Sequence, residues 1–333
     1  MRAARFYDEG DIRVEQIAEP TAQSDQVLVE VEWSGICGSD LHEFVADTPH
    51  ALTGDVLPCV MGHEFCGRIQ SCPEDSGLQK GIDHCCQKLG FLGVSGRGGG
   101  FSELVAVDRR MLHVLPNNVP LSAAALIEPV ATAHHAVKAT RIADWADKNV
   151  LIIGGGPVGV TILLALRAQG VKRIIVSEPT LARRELLSGL ADLVINPFEE
   201  DVPKVCQDHT GGVGPDVVYD CAGIPQSIET AFKAFRVGGT HVNIAIWEKP
   251  MAVPMWDFLS KDITILSAMA YNDQDFSEVV QMLAEGKFHG YEKLVSTRIS
   301  LEDLVEKGFK ELVHNKDAHL KILVTPKQDT LRA

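Results

Sequence analysis

The sequence predicts an α/β chain, a β-rich first third followed by a doubly wound parallel sheet, and three observations carry this. Residues 26–33, QVLVEVEW, alternate apolar and polar side chains as a half-buried strand does, and FSELVAVDRRMLHVLP (101–116) reads as a second strand and turn. From about Leu121 the texture changes to SAAALIEPVATAHHAVKAT, rich in alanine with helical periodicity. After it, NVLIIGGGPVG, RIIVSEP, DLVINP, DVVYDCAG and GGTHVNIAIW are short apolar runs bounded by Gly, Pro or Asp, with helical stretches between several of them. Buried parallel strands joined by helices have this pattern. Beyond Tyr271 a helix is expected over Phe276–Glu285, and a final strand in HLKILVTP. The domain boundaries that follow are 1–130 with 271–333 for the β-rich unit and 131–270 for the sheet unit.

Composition excludes several function classes. The 333 residues are 45% hydrophobic and 23% charged, as in an ordinary globular protein. A net charge of −14 repels phosphate backbones and anionic lipid surfaces, so neither nucleic acid nor membrane is an expected partner. The start, MRAARFYDEGDIRVEQI, has no apolar core of the secretory type, which points to the cytoplasm. The longest uncharged run, between Lys148 and Arg167, is broken by GGGP and is no membrane span. Eight cysteines (Cys37, Cys59, Cys66, Cys72, Cys85, Cys86, Cys206, Cys221) scattered through a long chain favour free or metal-bound thiols over disulfides.

VLIIGGGPVGVTILLALRAQG places Gly154, Gly156 and Gly159 in G-x-G-x-x-G register, with Pro157 and Val158 between the last two, directly after a β run and opening a helix. The first glycine permits the tight turn, the second lets backbone approach a pyrophosphate, and the third lets helix pack on strand. The unpaired N–H groups of the helix N-terminus then face the phosphates. Glu178 ends the next strand, where a carboxylate can accept hydrogen bonds from an adenosine ribose diol, favouring NAD over NADP. Arg183 and Arg184 follow closely and work against that preference.

SGICGSDLHEF (34–44) holds Cys37, Ser39 and His42 close together; GHE adds His63 and Glu64, and LIEP adds Glu128. Singly, a buried thiol, a satisfied imidazole and a solvated helix-end carboxylate are the ordinary readings. Together they suit Zn²⁺, which takes S, N and O ligands in a tetrahedral site with one position open for substrate. The set G-I-C-G-S-D-L-H, G-H-E-F and I-E-P ahead of the Gly-rich fingerprint resembles the zinc-dependent medium-chain alcohol/polyol dehydrogenases, most closely their butanediol and sorbitol dehydrogenase branch, over nearly the whole chain.

That resemblance implies a GroES-like catalytic domain around a Rossmann domain. It implies Cys37 and His63 as zinc ligands, and Glu64 and Glu128 as carboxylates that bind the metal directly or through its water. Ser39 would receive the substrate hydroxyl proton and His42 pass it toward solvent. Cys221, Ala222 and Gly223 of DCAG would line the cofactor cleft, and VNIAIW, with Ile246, would run near the nicotinamide. His134 and His135 read as packing or surface residues rather than ligands, and Cys206 and Cys221 as inert core thiols. A homo-oligomer, dimer or tetramer, is expected, with edge strands near Val242–Trp247 pairing across its axis. The implied reaction is hydride transfer between NAD and a small secondary alcohol or vicinal diol, 2,3-butanediol to acetoin first. A sorbitol- or xylitol-type polyol is the second substrate reading, and a non-catalytic dinucleotide-binding protein the reading from another class.

The pattern breaks between His63 and Gly100. Relatives of this branch carry a strand and a four-cysteine lobe there. The present stretch, GLQKGIDHCCQKLGFLGVSGRGGGF, keeps sequences like the two flanks of that segment but not its middle. Cys72, Cys85 and Cys86 lack the paired spacing that closes a tetrahedral site, so a single catalytic zinc and no structural zinc is expected.

Overall fold

The computed structural model describes residues 1–45, 57–71, 92–94, 98–247 and 252–332. By backbone packing the chain divides into two units, Met1–Glu128 with Asn272–Ala284 and Val295–Ala333, and Pro129–Tyr271 with Glu285–Leu294.

The first unit is built on β1 (Arg2–Asp8), β2 (Asp11–Gln16), β3 (Gln26–Gly35), β4 (Cys59–Val60), β5 (Glu64–Ser71) and β6 (Leu104–Asp108), with helix α1 (Gly38–Val45) between β3 and β4. Strand β3 buries every second residue along its first part, as its alternating sequence requires, and pairs antiparallel with both β5 and β6. Val29 and Val31 from β3 and Val105 and Val107 from β6 form one small core. A larger one gathers Phe6, Phe44, Met61, Phe101, Phe309 and Ile322. The chain then enters α2 (Leu121–Ala124) and α3 (Ile127–Ala139).

The second unit holds β7 (Asn149–Ile153), α4 (Pro157–Ala168), β8 (Arg173–Ser177), α5 (Leu181–Leu187), β9 (Leu193–Ile195), α6 (Val202–His209), β10 (Val217–Asp220), α7 (Pro225–Ala234), β11 (Thr240–Asn243), α8 (Met255–Ser260) and β12 (Thr264–Ser267). Its strands form one parallel sheet in the order β12-β11-β10-β7-β8-β9. The order reverses between β7 and β10, the switch point at which doubly wound sheets bind ligands. Ile152, Tyr219 and Val242, at the centres of β7, β10 and β11, are fully buried, which explains the unbroken apolar runs.

The remaining elements are α9 (Asp273–Ala284), β13 (Val295–Ser300), α10 (Lys310–His314) and β14 (Lys321–Thr325), all belonging to the first unit, with β14 lying between β13 and β3. Two expectations are corrected. Helix α9 starts three residues before Phe276, because Asn272 Oδ1 accepts from Asp275 N (2.9 Å) while Asp275 Oδ2 accepts from Asn272 N (3.2 Å), a reciprocal cap. The run at Val242–Trp247 is not a sheet edge: β11 has neighbours on both sides, and β12 is the edge. The Cys72, Cys85 and Cys86 stretch, on which the structural-zinc expectation rests, lies outside the described residues. Among the described residues no helix is long and apolar enough to cross a membrane, and Cys37, Cys59, Cys66, Cys206 and Cys221 are free thiols.

Candidate active site

In the first unit, donor atoms of Cys37, His63 and Glu64 all lie within 4.8 Å of one another. Three local features bring them together. Cys37 sits at the entrance to α1, where Asp40 Oδ2 accepts a hydrogen bond from its backbone N–H at 2.9 Å. Glu64 begins β5 directly opposite Gly35 at the end of β3. His63 immediately precedes that strand, with its Nδ1 3.5 Å from Asp40 Oδ1 and its Nε2 3.5 Å from Ser39 Oγ. The imidazole that joins the thiol and the hydroxyl is thus His63, while His42 lies half-buried on α1.

Two groups that sequence reasoning missed organise this cluster. Asp40, fully buried, touches both the Cys37 backbone and the His63 ring, the usual way a carboxylate orients a ligating histidine. Burial opposes a charge on His63, but Asp40 and the Cys37 sulfur outweigh it and raise the imidazole well above its ordinary value. The second is Lys321 on β14, whose Nζ lies 2.6 and 2.7 Å from the two Glu64 oxygens and 3.1 Å from Ile36 O. Burial works against its charge too, yet Glu64, Cys37 and Glu128 hold the ammonium above its normal value. Glu128 therefore lies near enough for its charge to count, although it is not among the three converging donors. A lysine inside an apolar strand, as in HLKILVTP, was the available signal for Lys321.

A thiol, an imidazole and a carboxylate converging on one point are the donor set of a catalytic zinc site, with fewer protein ligands than four. Burial holds the other described cysteines as thiols, pushing Cys59 up to about 11, Cys66 and Cys206 up to about 12, and Cys221 well above its ordinary value.

In the second unit the expected cofactor residues meet at the switch point. Gly154 has φ +98°, and a side chain on Gly159 would come 1.9 Å from Gly154 O, so the turn and the start of α4 close on each other only without one. Cys221 N donates to Ile153 O at 2.9 Å, which sets Cys221, Ala222 and Gly223 beside that turn. Glu178 is buried and accepts from Gly155 N and Thr180 N, both at 2.7 Å. Gly155 was not foreseen; a Cβ there would lie 2.5 Å from Leu187 and 3.1 Å from Glu178. The Arg183 guanidinium lies 3.5 Å from where a Gly156 Cβ would stand, while Arg184 donates to Glu178 O at 3.1 Å. Pro157 is the first residue of α4; Val158 and Ile246 are exposed, the latter 62%. Asp220, the first residue of DCAG, accepts from Ala222 N and Gly223 N at 3.0 Å and from Ser227 Oγ at 2.7 Å, and so shapes the second turn.

Similar proteins identify the family. The alcohol dehydrogenase GroES-like domain matches residues 23–117, and the zinc-binding dehydrogenase family matches residues 157–285. The (R,R)-butanediol dehydrogenase of Neisseria gonorrhoeae is 35% identical over 98% of this chain and 99% of that protein. That of Bacillus subtilis is 34% identical over 98% of this chain and 100% of its own length. The crystal structure of 2R,3R-butanediol dehydrogenase from Bacillus subtilis superimposes with a TM-score of 0.89 at 33% identity, covering 98% of this chain and 99% of that one. With full-length relatives, both domain matches and the converging thiol, imidazole and carboxylate in agreement, the chain belongs to the zinc-dependent medium-chain alcohol dehydrogenases, in their butanediol dehydrogenase branch.

Proposed function

We propose that this protein is an NAD-dependent zinc dehydrogenase that interconverts a small vicinal diol and its hydroxyketone, 2,3-butanediol and acetoin first. The observation that carries it is the convergence of Cys37, His63 and Glu64 beside Ser39. Those three residues, with Glu128 nearby, would hold the metal, and the residues around Gly154, Gly156, Gly159 and Glu178 would hold the dinucleotide. When bound, zinc supplies Lewis acidity toward a hydroxyl oxygen, and NAD supplies the hydride acceptor. Ser39 Oγ accepts the proton of the substrate hydroxyl as it releases its own, and His42 is the last group to pass a proton toward water. Asp40 keeps the His63 ring turned so that Nδ1 faces a carboxylate and Nε2, on the Ser39 side, is the atom that would ligate. Glu178 receives the ribose hydroxyls on lone pairs left over from its two backbone hydrogen bonds. In this reading residues 1–130 with 271–333 form the catalytic domain and 131–270 the NAD domain.

We assign the protein to the cytoplasm, where a reducing milieu keeps Cys37 available as a ligand. The same reading includes a homo-oligomer, supported by the open edge of β12 with Ile265 44% exposed and by Trp256 and Leu259, 75% and 71% exposed, on the preceding helix.

Zinc content per chain, measured beside NAD reduction with 2,3-butanediol and with sorbitol, tests this. About one zinc per chain with faster turnover of the diol is expected, and Cys37→Ser is expected to lose zinc and turnover while still binding NADH. A faster rate with sorbitol would move the protein to the polyol branch. Zinc-free, inactive protein that binds NADH would overturn the enzyme reading.

A further inference from the structure

The family resemblance leaves open how Glu64 relates to the metal, and Lys321 addresses it. All three N–H bonds of the Lys321 ammonium are directed within the protein, two to the Glu64 oxygens at 2.6 and 2.7 Å and one to Ile36 O at 3.1 Å. Lys321 is 3% exposed and Glu64 fully buried, so water competes for neither. The pose of the carboxylate is further shaped by Gly35, where a Cβ would lie 2.1 Å from Glu64 Oε2. Glu64 therefore stands with both oxygens on an ammonium while remaining within 4.8 Å of the Cys37 and His63 donors. An oxygen shared with an ammonium offers less charge to a second cation. A metal drawing on the same oxygens lowers the charge they offer Lys321, and the buried ammonium loses part of its compensation.

We propose that Lys321 is a positioning residue that competes with zinc for the Glu64 carboxylate, loosening the metal and keeping one coordination position open for substrate. The proposal rests on the reading of Cys37, His63 and Glu64 as the zinc site. Without Lys321, Glu64 becomes a full-strength ligand: zinc is held more tightly and the position left for the substrate oxygen is contested. The effect passes through Glu64 alone, so it disappears when Glu64 carries no charge.

The test measures the zinc dissociation constant of the full chain by competition with a chromogenic chelator. The proteins are the unmodified chain, Lys321→Met, Glu64→Gln and the double variant. Lys321→Met is expected to bind zinc at least about tenfold more tightly. In the Glu64→Gln background the same change is expected to alter zinc binding by less than about twofold. Cobalt substituted for zinc is expected to show altered visible absorption in Lys321→Met, reporting a changed ligand set, but no such difference between Glu64→Gln and the double variant. Should Lys321→Met fail to fold, Lys321→Gln, which keeps one neutral hydrogen bond to Glu64, is expected to shift zinc affinity in the same direction by a smaller factor. Unchanged or weaker zinc binding without Lys321, or an equal effect in both backgrounds, overturns the proposal. A different result, Cys37→Ser binding zinc as well as the unmodified chain, would instead overturn the metal-site reading itself.

Discussion

Replacing Gly35 with alanine probes the built form of the site without replacing any residue of the donor set. Gly35 lies at the end of β3 in register with Glu64, and its φ is not in the left-handed region, so alanine adds a Cβ without backbone strain. That Cβ would stand 2.1 Å from Glu64 Oε2 and 3.2 Å from Cδ, well inside contact distance. The carboxylate must swing away, and at least one of its two hydrogen bonds to Lys321 is lost in a fully buried place. A charge-assisted hydrogen bond of this kind contributes about 1.5–3 kcal/mol. With one partner left unpaired, a loss of about 2–3 kcal/mol is expected. For a unit of this size that corresponds to a fall in Tm on the order of 4–12 °C. Thermal unfolding of the zinc-free protein, followed by near-ultraviolet circular dichroism, measures it. Gly38→Ala serves as the control, because a Cβ there meets nothing within 4 Å. If Gly35→Ala unfolds with its control, Glu64 is free to move and the claim that strand register holds it on Lys321 is wrong.

Two further outcomes are expected. Glu178→Ala should weaken NAD binding by on the order of tenfold to a hundredfold in a fluorescence titration, and NADP binding by less, since the carboxylate reads the ribose diol; equal losses would mean that Glu178 only braces Gly155 and Thr180. His241 is buried between Phe232 and Phe235, and burial lowers its pKa despite the Asp220 carboxylate at 4.0 Å. The native protein then binds fewer protons than the unfolded chain, so this contribution to stability is complete above about pH 6.5 and is lost as the pH falls from there through the native value. The expected slope is up to about 1.4 kcal/mol per pH unit, measured by urea unfolding at several pH values. A His241→Phe variant that keeps this slope would assign it to another group.

The second unit was legible because its central strands β7, β8 and β10 are buried almost throughout and its apolar runs are bounded by Gly, Pro or Asp. The local texture and the sheet it builds therefore carry the same information. Gly154, Gly156, Gly159 and Glu178 were placed by the physics of the turn alone. In the first unit, Cys37, Ser39, His63 and Glu64 were found because they carry chemistry in short motifs. Asp40 and Lys321 were not, for different reasons. Asp40 reads locally as an ordinary acid in the first turn of a helix, and only the tertiary fold shows that it also faces His63. Lys321 is separated from Glu64 by 257 positions, and a lone lysine in a strand gives no hint of its partner. The sheet edge was misplaced for a similar reason: β12 (TILS) is too short and too ordinary to announce itself.

The geometry at Glu64 depends on two irregularities in the pairing of β3 with β5: Gln70 is an extra residue on β5 between Leu28–Ser71 and Val29–Ile69, and a second shift, close to the SGIC motif, undoes the first. Along β3 and β5, Val31 faces Gly67 but Trp33 faces Cys66, so Glu32 is an extra residue on β3 and the pairing shifts there. Only after that bulge do Ser34 and Phe65, then Gly35 and Glu64, come opposite each other. A ladder continued from Val31–Gly67 without the second shift would be out of step by one residue and would set a side chain against the Glu64 carboxylate in place of the glycine that now leaves it room. The bulge has its own glycine: a Cβ on Gly67 would lie 2.1 Å from Glu30 O. Beyond the bulge, β14 meets β3 at Leu323–Gly35 and Val324–Ser34, and this pairing brings Lys321 to the carboxylate. The thiol, imidazole and carboxylate are therefore placed by how three strands count residues against one another, and the valine core of β3 and β6 that holds this register belongs to the active site as much as any ligand does.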